Sequence, residues 1–278
     1  TFPIDVRYVP RQRNEGLENA ITDVVLGALN TDDGDILVFL PGIGEINRAQ
    51  TLLKERVAGN VDVLRLAGAL PFSEQDAALN ASGLGRRRVV LSTDIAETSL
   101  TVDGVHIVVD AGFARVRRLD SRTGLTELVT VTSSRASADQ RSGRAGRVRE
   151  GVAYRLWSRI EDSTRLPHLP AEITQVDLCG VALEVAAWGT PLAQLSFLDA
   201  LPEKSLRVAT DTLTMLHLLD NDGHITCFGM KKGKPDNSFR TSALTKEITA
   251  PAHAYLFAGP SNVGKATIAR LFAAALLC

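Results

Sequence analysis

Three arginines at a spacing of three residues are the strongest chemical signal in this sequence. Arg141, Arg144 and Arg147 lie in the stretch QRSGRAGR, residues 140–147. A guanidinium group stays charged and binds a phosphate through two parallel hydrogen bonds, so the stretch is a candidate phosphate site. We expect it to be helical, in which case Arg144 and Arg147 share one face and repel each other unless an anion lies between them.

The residues between the arginines fit the same chemistry. Gly143 and Gly146 remove side chains that would hold a ligand or a neighbouring domain away. Gln140 adds an uncharged amide that can position water or a phosphate oxygen. Taken alone, however, the stretch also fits a solvated basic helix face with incidental glycines.

A second polar stretch strengthens the phosphate interpretation. Residues 89–105, VVLSTDIAETSLTVDGV, combine an apolar strand with a loop rich in hydroxyls and carboxylates. Parallel α/β sheets bind ligands at the carboxyl ends of their strands. The hydroxyls of this loop are therefore candidates to bind a nucleic-acid backbone or to order water; the alternative is a helix cap and turn. They belong to Ser92, Thr93, Ser99 and Thr101.

The elements that must position these stretches follow an α/β pattern. Residues 15–29 and 43–57 carry helical stripes, and they alternate with continuous apolar runs that are typical of a parallel sheet. The predicted strands of this part are 2–9, 35–42, 61–68, 87–93 and 105–112. Residues 113–132 are predicted to form a β-hairpin with a basic first arm. The alternation indicates an α/β fold with one parallel sheet.

The chain changes character from about residue 160. Two apolar helices and a short strand predict a winged-helix unit at 161–228, and the polar stretch 229–252 suits a linker. The last segment, 253–278, reads as strand, glycine-rich loop and helix. Its loop matches G-x-x-x-x-G-K, so Gly259, Gly264 and Lys265 are candidates to bind phosphate.

Composition limits the classes of function. The chain has 278 residues, 45% of them apolar, and a net charge of −1, which allows a large core and argues against a polycation but not against a local basic face. Its three cysteines have neither zinc-site spacing nor a disulfide framework. We find no run of membrane-spanning length and no signal peptide, and we therefore expect a cytoplasmic protein with no membrane partner. Because the chain begins at Thr1, we expect it to be a fragment.

Several blocks together resemble the DEAH-box helicases, and the bacterial HrpB-type members most. They occur in the family's order over roughly residues 1–228. The blocks are ILVFLPGIGEI, LAGALPFSEQ, STDIAETSLTVDGV, VVDAGFARV, QRSGRAGR and PAEITQVDLCGVALEVAAWG. The resemblance implies a RecA-like, P-loop-NTPase-type parallel sheet with a hairpin insertion at 1–160, followed by the winged helix at 161–228. It also implies the C-terminal motor half of an ATP-dependent RNA helicase.

The resemblance assigns roles near ATP to matching positions. Arg144 and Arg147 would be arginine fingers that reach the γ-phosphate, and Gln140 would assist them. Ser99 would help to organise the attacking water. The remaining positions expected near the nucleotide are Thr101, Asp103 and Gly143.

Other matching positions are expected to face a single strand of nucleic acid. They are Gly42, Thr93 and Asp94. This chain departs from the family at Asp94, where most members carry Asn, and a carboxylate facing phosphates is electrostatically unfavourable. The hairpin would separate strands. The partner strand would be RNA, with DNA left open.

Two features depart from a complete helicase. No Walker A loop or DEAH motif precedes residue 140, so ATP and Mg²⁺ would be held mainly by an N-terminal RecA-like domain that this chain lacks. We therefore expect the chain alone to be inactive. Residues 252–278 look like the start of a clamp-loader-type AAA+ subunit, although Ala266 stands where a Mg²⁺ ligand belongs. Two alternatives stay open: a non-catalytic nucleic-acid-binding relic, and a clamp-loader-related ATPase fragment.

Overall fold

The structure is a computed structural model that describes residues 2–80, 85–98, 100, 102–120, 125–190 and 192–226. These residues form two compact units. The first comprises the described residues of Thr1–Val116 and Thr130–Leu169, and the second comprises those of Arg117–Val129 and of the stretch from Pro170 to Thr226. No helix of the described ranges is long and apolar enough to cross a membrane.

A six-stranded sheet forms the centre of the first unit, and the pairings between its strands are all parallel. Its strand order is β1-β8-β5-β2-β4-β3, which confirms the predicted α/β fold. The strands are β1 (Ile4–Tyr8), β2 (Asp35–Phe39), β3 (Val61–Leu66), β4 (Arg87–Ser92), β5 (Val105–Asp110) and β8 (Gly151–Arg155).

Helices cover both faces of this sheet. On the central strand β2, Ile36 and Val38 belong to one apolar cluster and Leu37 and Phe39 to another, because successive side chains of a strand point to opposite faces. Both faces are therefore buried, as the continuous apolar run predicts. The helices of this unit are α1 (Leu17–Thr31), α2 (Ile43–Arg56), α3 (Phe72–Leu79), α4 (Ile95–Thr98), α5 (Arg135–Ser142) and α6 (Arg159–Thr164).

The predicted hairpin is present as a separate two-stranded sheet. It consists of β6 (Phe113–Asp120) and β7 (Leu125–Thr132). On its basic first arm, the guanidinium of Arg117 lies 3.9 Å from the carboxylate of Glu172, and both side chains are largely exposed. Such a pair adds little stability, so the basic charge of the arm stays accessible.

The prediction that QRSGRAGR is helical is only partly correct. Helix α5 begins after Ser134, whose hydroxyl accepts a hydrogen bond from the N–H of Ser137, and it ends at Ser142. Gly143 caps it, and the chain then turns through residues 143–149. Arg144 and Arg147 therefore lie beyond the helix, and the expectation that they share a helical face is wrong.

The second unit contains both predicted apolar helices. They are α7 (Cys179–Ala187) and α8 (Glu203–Met215), which pack around a small core. An antiparallel bridge joins Leu219 and Ile225 around a turn in which Gly223 has φ +81°, a conformation that favours glycine. The identification as a winged helix remains a prediction, as do the domain boundaries at 160 and 228. The predicted linker and phosphate loop lie outside the described residues.

Candidate functional site

Arg141 lies at the centre of an acidic cage at the carboxyl edge of the sheet. Its side chain is 0% exposed, and each guanidinium nitrogen binds a different carboxylate. The nitrogen–oxygen distances are 2.5 Å to Asp94, 2.8 Å to Glu97 and 2.9 Å to Asp110. Burial alone would lower the pKa of Arg141, but the three carboxylates outweigh it and raise the pKa.

The carboxylates of the cage come from two segments, each fixed by its own strand or helix. Asp94 and Glu97 come from the turn and short helix after β4, and Asp110 ends β5, where it also accepts a hydrogen bond from the N–H of Gly112. The guanidinium carbon of Arg141 lies 5.1 Å from the ring centre of Phe39, at the end of β2. Arg141 therefore ties α5 to the carboxyl ends of the central strands.

Arg144 is held by backbone oxygens of the loop after α4. Its Nε donates to the Glu97 carbonyl at 3.0 Å, its Nη1 donates to the Leu100 carbonyl at 2.8 Å, and its Nη2 also donates to Glu97. The side chain is only 6% exposed. Glu97 is therefore shared, because its carboxylate binds Arg141 and its carbonyl binds Arg144.

Arg147 is exposed and lies close enough to affect Arg144. Burial, and then the positive charge of Arg147, lower the pKa of Arg144. The predicted like-charge pair thus exists, although turns rather than a helix create it. Gln140 is exposed at the end of α5, near the pair in sequence. A bound anion would relieve the repulsion between the two arginines.

The glycines between the arginines have structural roles. A Cβ on Gly143 would lie 3.2 Å from the Gln140 carbonyl, which is tight. A Cβ on Gly146 would lie 2.7 Å from Ile4 and from the Phe2 carbonyl. The expectation that Gly146 leaves room for a ligand is therefore wrong, because β1 and the residues before it take up that room.

Thr93 and Asp94 lie together at the carboxyl end of β4. Burial, together with the like charges of Glu97 and Asp110, raises the pKa of Asp94, although Arg141 and the N–H of Arg115 oppose this. Asp94 thus serves an internal ion pair. Its carboxylate binds Arg141 at 2.5 Å, but the side chain is 40% exposed, so part of its negative charge faces solvent.

Gly42 precedes α2 at the carboxyl edge, and an arginine fills the space beside it. A Cβ on Gly42 would lie 2.6 Å from the guanidinium carbon of Arg115. The Arg115 side chain is 34% exposed and has a long contact of 3.4 Å with Glu45. Since the Arg115 N–H also donates to Asp94, Gly42 and Asp94 are neighbours of one residue. The structure therefore brings two of the three predicted nucleic-acid residues together around Arg115.

Asp103 lies at the opposite edge of the sheet. It precedes β5, its side chain is exposed, and its carbonyl accepts a hydrogen bond from Arg88. Gly104, with φ +77°, follows it against Asp35. The structure does not bring Asp103 to the Arg141 cage. Five predicted site residues lie outside the described residues: Ser99, Thr101, Gly259, Gly264 and Lys265.

Three residues of this site escaped sequence reasoning: Glu97, Asp110 and Arg115. Arg141 was predicted as part of a phosphate site, whereas the structure buries it against three carboxylates. Asp110 had a usable signal, since a carboxylate that ends a buried apolar strand needs a partner. Arg115 gave none beyond belonging to a basic arm, because its position over Gly42 depends on how two distant segments meet.

Known proteins resemble this chain over most of its length. Residues 17–149 match the family model described as the helicase conserved C-terminal domain. These residues form a helicase C-terminal domain. Its six-stranded parallel sheet is that of the RecA-like C-terminal domain in helicase structures.

The relatives of this helicase domain include two RNA helicases. The chain is 38% identical over 245 residues to ATP-dependent RNA helicase HrpB of Escherichia coli (strain K12), which covers 88% of this chain and 30% of that protein. It is 35% identical over 241 residues to pre-mRNA-splicing factor ATP-dependent RNA helicase prp22 of Schizosaccharomyces pombe (strain 972), which covers 83% of this chain and 20% of that protein.

Solved structures give the same relationship. Two crystal structures of E. coli HrpB, described as a DExH-box NTPase and as a DEAH/RHA helicase, match at 39% identity over 84% of this chain, with TM-scores of 0.76 and 0.79. The match covers 29% and 30% of those chains. The helicase domain is thus homologous to HrpB-type helicases, and the chain spans under a third of the length of these relatives.

Proposed function

We propose that this chain is the C-terminal motor half of an ATP-dependent DEAH-box RNA helicase. The observation that supports it most is the pair Arg144 and Arg147, two guanidinium groups close enough to lower the pKa of Arg144. Glu97 connects this pair to the Arg141 cage, which borders the predicted nucleic-acid residues. A site for phosphate and a site for a nucleic-acid strand would thus share one hydrogen-bonded frame.

The arginine pair fits ATP chemically. ATP would supply the phosphoryl group that hydrolysis transfers to water. Arg144 and Arg147 would neutralise negative charge on its terminal phosphate, a contribution of about 10³–10⁵ in rate for arginine fingers in related NTPases. Gln140 would assist from the end of α5, and Ser99, Thr101, Asp103 and Gly143 would complete the nucleotide side. Mg²⁺ would be held mainly by the N-terminal RecA-like domain.

The nucleic-acid side would be the carboxyl edge of β2 and β4. Gly42 is the N-cap of α2, no side chain caps the N–H groups of the first turn, and the Arg115 guanidinium lies against Gly42. Thr93 adds a hydroxyl. These groups suit phosphates rather than bases, and backbone-directed binding suits an enzyme that moves along any sequence. The ion pair with Arg141 would reduce, but not cancel, the repulsion between Asp94 and a phosphate.

The purified chain provides the test. We expect weak, salt-dependent binding of single-stranded RNA, measured by fluorescence anisotropy, and no useful ATP hydrolysis. Arg115→Ala should weaken binding and reduce the salt slope by about one. Robust ATP turnover that Arg144→Ala abolishes would refute the proposal that a separate domain must hold the nucleotide. Failure to bind single strands at low salt would refute the nucleic-acid role.

A further inference from the structure

Phe72 is an aromatic residue that the proposed mechanism leaves without a role. It is the first residue of α3, and its side chain is 82% exposed. A single exposed apolar residue needs no explanation by itself. The position of Phe72 and the rigidity of the turn that carries it make it informative.

The turn below Phe72 is fixed by hydrogen bonds. The N–H of Leu70 donates to Ala67, and the N–H of Glu74 donates to the carbonyl of Pro71, which caps the helix. The side-chain amide of Gln75 donates to the Leu70 carbonyl at 2.8 Å. The ring of Phe72 is therefore exposed on an ordered support and not on a loose loop, so little order is lost when a ligand packs on it.

This support is part of the edge that carries Thr93. Strand β3 ends at Leu66, whose carbonyl accepts a hydrogen bond from the N–H of Thr93 at 3.2 Å. Two residues further, Gly68 faces Ile95, the first residue of α4, since a Cβ there would lie 3.8 Å from the Ile95 side chain. Phe72 thus extends the proposed nucleic-acid edge from β4 to the outermost strand of the sheet.

The surroundings of Phe72 favour one flat ring as its partner. Pro71 and Ser73 are exposed on either side, and the carboxylate of Glu74 is paired with Arg65 at 2.6 Å. A protein partner would need a larger continuous apolar surface than one ring provides. A nucleobase needs only one aromatic face, and every base has one.

We propose that Phe72 stacks on a base of the single strand whose phosphates contact Gly42, Thr93 and Arg115. This rests on the proposed function and adds a stacking platform to a site that otherwise contacts the backbone. Because stacking is indifferent to sequence, it would hold one unpaired base without selecting it. Phosphate contacts would keep the register of the strand, and the ring would keep one base turned away from its neighbours.

The test compares variants of the purified chain in binding a single-stranded oligouridine at low salt. Phe72→Ala should weaken binding about tenfold, which is within the range for loss of one base–aromatic stack, and it should leave the salt slope unchanged. Phe72→Trp should keep the affinity, and its added emission should be quenched on binding. Val148→Ala is the matched control, because Val148 is 71% exposed and lies before β8, at the amino edge of the sheet.

An abasic oligonucleotide of equal length separates stacking from phosphate contact. Its binding should be weaker and indifferent to Phe72→Ala. If the parent chain binds oligouridine and Phe72→Ala binds within about twofold of it, the stacking proposal is wrong and the proposed function stands. Unchanged emission of Phe72→Trp on binding would also overturn it. If the parent chain binds no single strand, the proposed function fails first and this proposal fails with it.

Discussion

Arg141 and Arg88 are both fully buried, one at each edge of the sheet, but their guanidinium groups have different kinds of partner. Arg141 at the carboxyl edge binds three carboxylates. Arg88 at the amino edge binds one carboxylate, that of Asp35, and three backbone carbonyls, those of Ala78, Asn80 and Asp103. In both clusters the buried guanidinium has hydrogen-bond partners. Only in the Arg88 cluster do the charges cancel, because one guanidinium faces one carboxylate.

This difference separates a scaffold from a site. The Arg88 cluster joins β4 to the segments around it and balances charge locally, so it can be dry and rigid. The Arg141 cage has more negative than positive charge, and the guanidinium of Arg165 lies close enough to Asp110 to interact with it. The excess negative charge alone would repel a phosphate, so the nucleic-acid binding that we propose at this edge relies on the partly exposed guanidinium of Arg115.

Replacement of Arg141 should have the largest effect. Arg141→Met leaves three carboxylates without their common partner, two of them largely buried, and should reduce the free energy of unfolding by about 3–5 kcal/mol or more at neutral pH. Urea unfolding measures this. The loss should shrink as the pH falls, because the unpaired carboxylates can take up protons. A loss below about 1 kcal/mol would contradict the importance of the cage.

Replacement of Arg88 should cost somewhat less and respond differently to pH. Arg88→Met removes the cationic partner of Asp35 and the guanidinium donors to three carbonyls, whereas Asp35 keeps the hydrogen bond from the backbone N–H of residue 88. We expect a loss of about 3 kcal/mol in the free energy of unfolding. Carbonyls do not titrate, so acid should restore less stability than it does for Arg141→Met. Arg86→Met is the control, since Arg86 forms an exposed pair with Asp62 and should change stability by under about 1 kcal/mol. If the loss of stability depended on pH in the same way for Arg88→Met and Arg141→Met, the proposed difference between the two clusters would be contradicted.

Replacement of Arg144 should have a smaller and local effect on folding. Arg144→Ala removes the donors to the Glu97 and Leu100 carbonyls, and we expect a loss of about 1–2 kcal/mol. Amide hydrogen exchange should increase in the loop after α4 and not at β2 or β5. Arg147→Ala is the matched control, because Arg147 is exposed and is expected to leave stability within about 0.5 kcal/mol.

Replacement of Asp94 should have the smallest effect on stability and a measurable one on binding. Because the pKa of Asp94 is raised in the folded state, the folded chain binds this proton more tightly than the unfolded chain does. The stability of the parent chain should therefore rise relative to Asp94→Asn as the pH falls towards that raised pKa. At neutral pH, Asp94→Asn should tighten single-stranded RNA binding about two- to threefold, because one negative charge near the phosphates is removed. If Asp94→Asn bound single-stranded RNA more weakly than the parent chain, the carboxylate would contribute to binding and this prediction would be wrong.

The sequence predicted the layers of the fold better than the details of the site. Continuous apolar runs identified β2 and β5 because strands buried on both faces need apolar residues at every position. The end of α5 was missed, since a glycine inside a helical pattern does not reveal by itself whether the chain continues or turns.

The sequence did not predict which carboxylates pair with the buried arginines. Arg88 and Arg141 both belong to arginine-rich stretches that resemble solvated faces, yet both are fully buried. Their carboxylate partners lie 31 to 53 positions away along the chain, and only folding brings them together. The sequence therefore singled out the stretch QRSGRAGR, but it did not reveal that Arg141 would be buried against carboxylates while Arg147 would stay exposed.

The most direct test of the central claim uses a chimera in which residues 1–226 replace the matching region of E. coli HrpB. We expect the chimera to hydrolyse ATP, and we expect Arg144→Ala to lower kcat about 10³-fold while leaving single-stranded RNA binding within about threefold. Val148→Ala should leave both unchanged. An Arg144→Ala chimera that keeps its kcat, or a folded chimera that hydrolyses no ATP, would contradict the claim that these arginines act on a phosphate held by another domain.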